Sequence, residues 1–341
     1  MQQQSIPFVP FRCYACNVFS SRRINTQMRG SSTKPDLAVR IGALRLQNPV
    51  MAASGTFGCG EEYAALFDVS ELGAIVTKTV TLKPRAGTPP PRVAETDAGM
   101  LNAIGLENAG FDAFLKEGLP FLRHVKGPKV IVSIAGEDER EFETLASRLD
   151  DTDGVHAVEL NLSCPNVRHA LTGGRGMTAQ DPDAVRRVVG RVRKATCRTL
   201  IAKLSPNVAD ITAIGRAARE SGADALSLIN TFPAMAVDAR TRRPLLGNVT
   251  GGLSGPALKP IALKMVWDVY RAVSIPIIGV GGIMTAEDAV EFMLCGASAV
   301  QVGTATFVEP GSALEVKRGI ARHLAAAKVS RAKDIIGGLI A

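Results

Sequence analysis

Apolar and polar positions along the chain follow two alternating rhythms. From Leu37 the order Leu-Ala-Val-Arg-Ile-Gly-Ala-Leu-Arg-Leu alternates, with a break at Gly42-Ala43, which predicts a short hairpin. Eight short apolar runs follow, at residues 50–53, 74–77, 130–134, 157–162, 200–204, 225–229, 276–280 and 299–302. Each has the length of a strand buried on both faces, as in a parallel sheet. Between most of them the period lengthens. In residues 183–194, Val185, Val188, Val189 and Val192 share one helical face, and in residues 209–220 so do Ile211, Ile214 and Ala218. Eight such units without a long second domain predict an α/β fold, a closed (β/α)8 TIM barrel with a short N-terminal hairpin and active-site loop insertions. About fifty residues separate the second and third runs, and a connection of that length predicts a functional loop or small subdomain. It contains Thr88-Pro-Pro-Pro-Arg92 and the segment 102–108.

Composition narrows this picture. A chain of 341 residues with 46% hydrophobic content can bury one large barrel core. The net charge of +8 suggests nucleic acid until its location is read. Arg12, Arg22, Arg23, Arg29 and Lys34, with no acid among residues 1–35, supply five of those charges and leave three for the rest. No Lys/Arg stripe interleaved with aromatics follows, so no nucleic-acid binding is expected. Residues 1–34 are polar, acid-free and aperiodic, which predicts a disordered extension ahead of the barrel domain at residues 35–341. That extension reads as an Arg-rich targeting segment or, the favoured alternative, as sequence upstream of a start at Met28. No apolar run approaches the roughly 20 residues of a membrane span. The six cysteines are scattered like reduced intracellular thiols, so a soluble cytoplasmic protein without membrane association is expected. Cys13 and Cys16 form a lone C-x-x-C, and His124, His156, His169 and His323 lack ligand spacing, so no metal site is expected.

Barrel chemistry sits at the C-terminal strand ends, which makes the residues just after each run informative. They are Ser54, Lys78-Thr79, Ser133, residues 161–166, Lys203, Asn230-Thr231, Gly281-Gly282 and Gly303-Thr304. Glycines after the seventh and eighth strands let backbone N–H groups approach a phosphate closely; two ordinary tight turns are the plainer alternative. Lys78 and Lys203 follow buried strands, where an ammonium calls for an anion or an electron-rich ring unless both snorkel to the surface. Cys164 stands between Ser163 and Pro165, flanked by Asn161 and Asn166. A thiol is a better base near neutral pH than a hydroxyl, and the carboxamides suit a flat polar ligand. A lone cysteine is more often structural, but its place on a polar rim turn favours a catalytic base.

Together these segments resemble the dihydroorotate dehydrogenase family over nearly the whole chain from Leu37. The matching stretches are Ala53-Ser-Gly-Thr-Phe-Gly, Thr77-Lys-Thr, Asn102-Ala-Ile-Gly-Leu-Glu-Asn108, Asn161-Leu-Ser-Cys-Pro-Asn166, Ala202-Lys-Leu-Ser, Gly251-Gly-Leu-Ser-Gly-Pro256, Gly279-Val-Gly-Gly-Ile and Val302-Gly-Thr. The resemblance implies one FMN across the barrel top, surrounded by Ser54, Lys78, Thr79, Ser133, Asn161, Lys203, Ile229, Gly255, Gly281, Gly282, Gly303 and Thr304. The last four would hold its phosphate, and Lys203 would lie by the flavin N1 and O2 edge. Dihydroorotate would be gripped by Lys78, Asn102, Ala103, Ile104, Gly105, Leu106, Asn161, Asn166, Asn230 and Thr231. Cys164 would take the proton from C5 while the C6 hydride leaves from the opposite face.

The cysteine base is similar to that of the family's class 1 enzymes, and Asn102-Ala-Ile-Gly-Leu and Gly55-Thr-Phe-Gly look like class 1B. That implies a heterotetramer of two catalytic and two electron-transfer subunits, the latter carrying FAD and [2Fe-2S] and passing electrons to NAD+. Residues 167–182 depart from the class 1B pattern, being longer and lacking its Phe, in the loop expected to cover the site. Other readings are a fumarate-using class 1A enzyme, a dihydropyrimidine dehydrogenase-like activity, and a non-redox barrel that binds a phosphorylated metabolite.

Overall fold

The computed structural model describes residues 34–162 and 178–340. The extension, apart from Lys34, and residues 163–177 lie outside the described residues.

The first two strands, β1 (Val39–Ile41) and β2 (Leu44–Leu46), form the expected hairpin, with Gly42 at φ 56° in its turn. Eight parallel strands then close a barrel: β3 (Val50–Ala52), β4 (Ala74–Val76), β7 (Lys129–Ile134), β8 (Ala157–Asn161), β9 (Thr199–Lys203), β10 (Ala225–Leu228), β15 (Ile277–Val280) and β16 (Ala297–Val302). Each pairs with its neighbour in chain order and β16 pairs with β3, so no barrel edge is exposed. All eight strands coincide with the predicted runs to within two residues.

The outer helices bury the faces their periodicity marks. Helix Pro182–Ala195 turns Val185, Val188, Val189 and Val192 inward, and helix Ile211–Glu220 turns Ile211, Ile214 and Ala218 inward. Asp181 and Asp210 cap their N-termini through backbone N–H groups. At the strand N-terminal end, Gly42 packs against Thr199 and Asp224, so the hairpin covers the bottom of the barrel near β9 and β10.

The long insertion after β4 yields β5 (Val93–Thr96) and β6 (Gly99–Asn102). A second insertion after β10 contributes β11 (Phe232–Ala234), a small hairpin of β12 (Val237–Asp238) and β13 (Arg243–Pro244), and β14 (Gly251–Ser254). The two insertions meet in one antiparallel sheet ordered β11-β14-β6-β5, which stands at the strand C-terminal end of the barrel. The first insertion is thus a small subdomain, as expected, but half of its sheet comes from a segment about 150 residues later in the chain, and long-range pairing of that kind carries no local signal.

Candidate functional site

A cavity of about 310 Å³ opens where the barrel strands end. That is within the range of small-molecule pockets. Ser54, Lys78, Thr79, Asn161, Lys203 and Ile229 line it from the strand ends. Gly255, Gly281, Gly282, Gly303 and Thr304 line it from the segments after β14, β15 and β16. Asn102, Ile104, Gly105, Leu106, Asn230 and Thr231 line it from the inserted segments. The sequence-selected residues that the structure describes therefore converge on one site, with two exceptions. Ser133 lies in the body of β7, fully buried, and its hydroxyl meets Thr79 Oγ1 at 3.0 Å. Thr79 Oγ1 also accepts from Asn161 Nδ2 at 3.1 Å, so Ser133 acts from behind the wall. Ala103 is buried in a small apolar cluster with Leu101 and Leu246. Cys164, Asn166 and residues 167–177 of the loop that departs from the class 1B pattern fall outside the described residues.

The two rim lysines differ. Lys203 is the last residue of β9, only 6% exposed, and donates to Ser54 Oγ at 3.3 Å. Among the described residues it has no carboxylate within ion-pairing distance, an arrangement costly without an anionic or electron-rich partner. Lys78 stands two residues past β4 and is exposed.

Two glycines of the second group are dictated by crowding. Gly255 and Gly282 have φ of 96° and 77°. A Cβ on Gly282 would meet Lys259 N at 2.8 Å and Gly255 O at 2.9 Å, and one on Gly255 would meet Gly99 Cα at 2.7 Å. Among the described residues the N–H groups of Gly282, Gly303 and Thr304 meet no backbone acceptor, and the short helix Ala305–Val308 follows them. Barrel phosphate sites are built from these loops and such a short helix. The Gly282 loop is held by Asp288, which accepts from Met284 N, Thr285 N and Thr285 Oγ1 at 2.9, 2.8 and 3.0 Å and from Lys259 Nζ at 2.6 Å. Burial opposes its charge, but these donors prevail and hold the carboxyl below its ordinary range.

The 102–108 turn is braced from the Pro-rich segment. Gly105 and Leu106 both have positive φ, 72° and 57°, a conformation that costs a leucine on the order of 1 kcal/mol. Thr88 N donates to Ile104 O at 3.1 Å and Thr88 Oγ1 donates to Ala103 O. Arg92 reaches Thr88 O, Ala86 O and the Glu107 carboxylate. Asn108 ties the turn to Thr81.

Several wall residues escaped the sequence reading. Ser254, whose hydroxyl accepts from Thr304 Oγ1 at 2.8 Å, lay inside a quoted motif without being singled out. Gln301 also lines the cavity, and its signal was a polar residue inside an apolar run. Among the described residues no group of three His, Cys, Asp or Glu side chains could hold a metal, and no helix is long and apolar enough to cross a membrane.

The family model for dihydroorotate dehydrogenase matches residues 36–324. The chain belongs to the dihydroorotate dehydrogenase family. It is 55% identical over 306 residues to the dihydroorotate dehydrogenase B (NAD(+)) catalytic subunit of Geobacter sulfurreducens and 53% identical over 306 residues to that of Geotalea daltonii. Each match covers 90% of this chain and 99% of the relative. Among solved structures, DHODH from Eimeria tenella in complex with ferulenol superimposes with a TM-score of 0.73 at 25% identity, covering 90% of this chain and 89% of that one. The family implies FMN on the catalytic subunit, and the residues present fit it. The glycine cradle with unpaired amides suits its phosphate, and the buried Lys203 suits an electron-rich ring.

Proposed function

We propose that this chain is the FMN-binding catalytic subunit of an NAD+-linked dihydroorotate dehydrogenase, oxidising dihydroorotate to orotate in pyrimidine biosynthesis. The observation that carries the reading is the convergence on one cavity of the glycine cradle, the buried ammonium of Lys203 and the carboxamides of Asn102, Asn161 and Asn230.

In this reading the amides of Gly282, Gly303 and Thr304 receive the phosphate, and Lys203 supplies a fixed positive charge where negative charge accumulates. Bound there, FMN would supply an acceptor for the hydride from C6. Lys78, at the solvent-facing side, takes the substrate carboxylate. The carboxamides of Asn102, Asn161, Asn166 and Asn230 and the hydroxyl of Thr231 match the alternating N–H and C=O groups of the ring. Thr79 keeps the Asn161 amide oriented, and Ser133 in turn holds Thr79. The braced turn 102–108 keeps Ile104, Gly105 and Leu106 against the ligand, an ordering already made before binding. Cys164 removes the C5 proton, a role for which a thiol is suited near neutral pH.

The relatives' designation as a catalytic subunit with NAD(+) supports a separate electron-transfer subunit. That subunit carries FAD and [2Fe-2S] in an assembly of two catalytic and two electron-transfer chains, and the complex works in the cytoplasm. Co-expression with the candidate electron-transfer subunit tests this. The expected result is a yellow complex that reduces NAD+ with dihydroorotate and leaves uracil-type substrates untouched. A colourless chain that takes up no FMN, or a complex that cannot reduce NAD+, overturns the corresponding part.

A further inference from the structure

Among the described residues only three ionisable side chains are buried: Asp288, Lys203 and Glu159. Asp288 has its lysine. Lys203 and Glu159 are each without an opposite charge at ion-pairing distance among the described residues, yet they occupy neighbouring strands of one barrel interior. Strand register pairs Asn161 with Lys203 and Glu159 with Ile201, so Glu159 sits one layer below the lysine. From strand spacing and rise, their Cα atoms are about 8 Å apart.

Glu159 is fully buried, and its Oε2 accepts from Gln301 Nε2 at 3.1 Å. The same Nε2 lies 3.4 Å from Ser227 Oγ. Gln301 spends its amide on the carboxylate and also lines the cavity, while Oε1 of both side chains is buried without a partner among the described residues. A carboxylate in such a place is expensive unless a positive charge offsets it, and a buried lysine has the complementary need.

We propose that Glu159 is a redox-tuning residue: its negative charge, one layer beneath Lys203, partly cancels the field that the lysine presents to the cofactor. It touches neither cofactor nor substrate and acts through Lys203 and through the Gln301 carboxamide it orients. This rests on the reading of the cavity as an FMN site. Removing the charge leaves the Lys203 field unopposed, which favours the electron-rich form of the flavin.

The test is the midpoint potential of bound FMN, measured by spectroelectrochemistry in wild type, Glu159→Gln and Ser227→Ala. A unit charge about 10 Å away changes such an equilibrium on the order of tenfold. For a two-electron couple that is a positive shift of about 30 mV. Glu159→Gln is expected to show it and Ser227→Ala, which changes no charge, is expected to stay at the wild-type value. Should Glu159→Gln not fold, Glu159→Met removes the same charge without leaving a carboxamide to satisfy, and the same shift is expected. An unchanged or lowered potential on loss of the charge overturns the proposal, as does an equal shift in Ser227→Ala. A wild-type chain that binds no FMN overturns the cofactor reading and this inference with it, whereas bound FMN with an unshifted potential overturns the inference alone.

Discussion

The two ends of the barrel handle polar groups in opposite ways. At the strand N-terminal end, Arg198 donates to the carbonyls of Val155, Asp150 and Thr152 at 2.5, 2.6 and 3.1 Å, and among the described residues its Nε and Thr199 Oγ1 are the atoms buried there without a partner. Asp150 collects Thr196 Oγ1, Cys197 N and Arg198 N, while Arg193 joins Asp224 to the start of β9. Charge there is spent on the backbone. At the C-terminal end, Lys203 meets a hydroxyl, Thr56 Oγ1 and Gln301 Oε1 are buried without partners among the described residues, and three amides have no backbone acceptor. Charges spent on backbone carbonyls and carboxylates hold a fold together, whereas a buried ammonium and amides left without such partners prepare a site for a ligand.

Crossed substitutions at the two ends break this comparison most sharply. Lys203→Met is expected to slow dihydroorotate-dependent flavin reduction on the order of 10²–10³-fold while leaving the melting temperature unchanged or raised. Arg198→Met is expected to do the reverse, costing on the order of 3 kcal/mol in urea melts while the folded fraction keeps its turnover. A Lys203 variant that unfolds, or an Arg198 variant that is stable but inactive, would contradict the division.

A smaller effect is expected at the cradle. Gly282→Ala forces a Cβ against Lys259 N at positive φ, a strain of about 1–3 kcal/mol. FMN affinity of the apoprotein, read by fluorescence quenching, should fall about tenfold or more, and an unchanged affinity would remove this loop from the phosphate site. Asp288 gives a pH signature. Its folded value lies below the ordinary 3.8, so its contribution to stability is complete above the unfolded value and is lost as pH falls through the depressed one. Asp288→Asn should lower stability at about pH 6 and narrow the gap to wild type toward about pH 3, in urea melts across that range. The smallest effect concerns Cys59, a thiol near the rim that burial, helped by Glu62 and Glu61, pushes up to about 11. It should label slowly with iodoacetamide near neutral pH, and fast labelling would contradict its burial.

Much of this contrast was legible in the sequence. Strands buried on both faces announce themselves as short apolar runs, so all eight barrel strands could be read from residues 50–302. Because barrel chemistry sits at strand ends, Lys203, Gly282 and Thr304 followed from position alone. The β11-β14-β6-β5 sheet did not, since its strands are short, partly exposed and paired across distant parts of the chain. The braces from Thr88 and Arg92 to the 102–108 turn were hidden because side-chain bonds to backbone carbonyls leave no periodic pattern. Ser133 and Ala103 were read as wall residues because proximity in sequence to the rim does not separate a lining side chain from the one supporting it. Glu159 and Gln301 were passed over because an apolar run absorbs a single polar residue without changing its appearance.

Anaerobic rapid mixing of the yellow chain with dihydroorotate near pH 7 is the most direct test of dihydroorotate oxidation with Cys164 as base. The expected result is loss of the flavin absorbance in the wild type, and in Cys164→Ala a rate lower by about 10²–10⁴-fold with FMN still bound. Flavin that stays oxidised in the wild type, or a Cys164→Ala variant that bleaches at the wild-type rate, would contradict it.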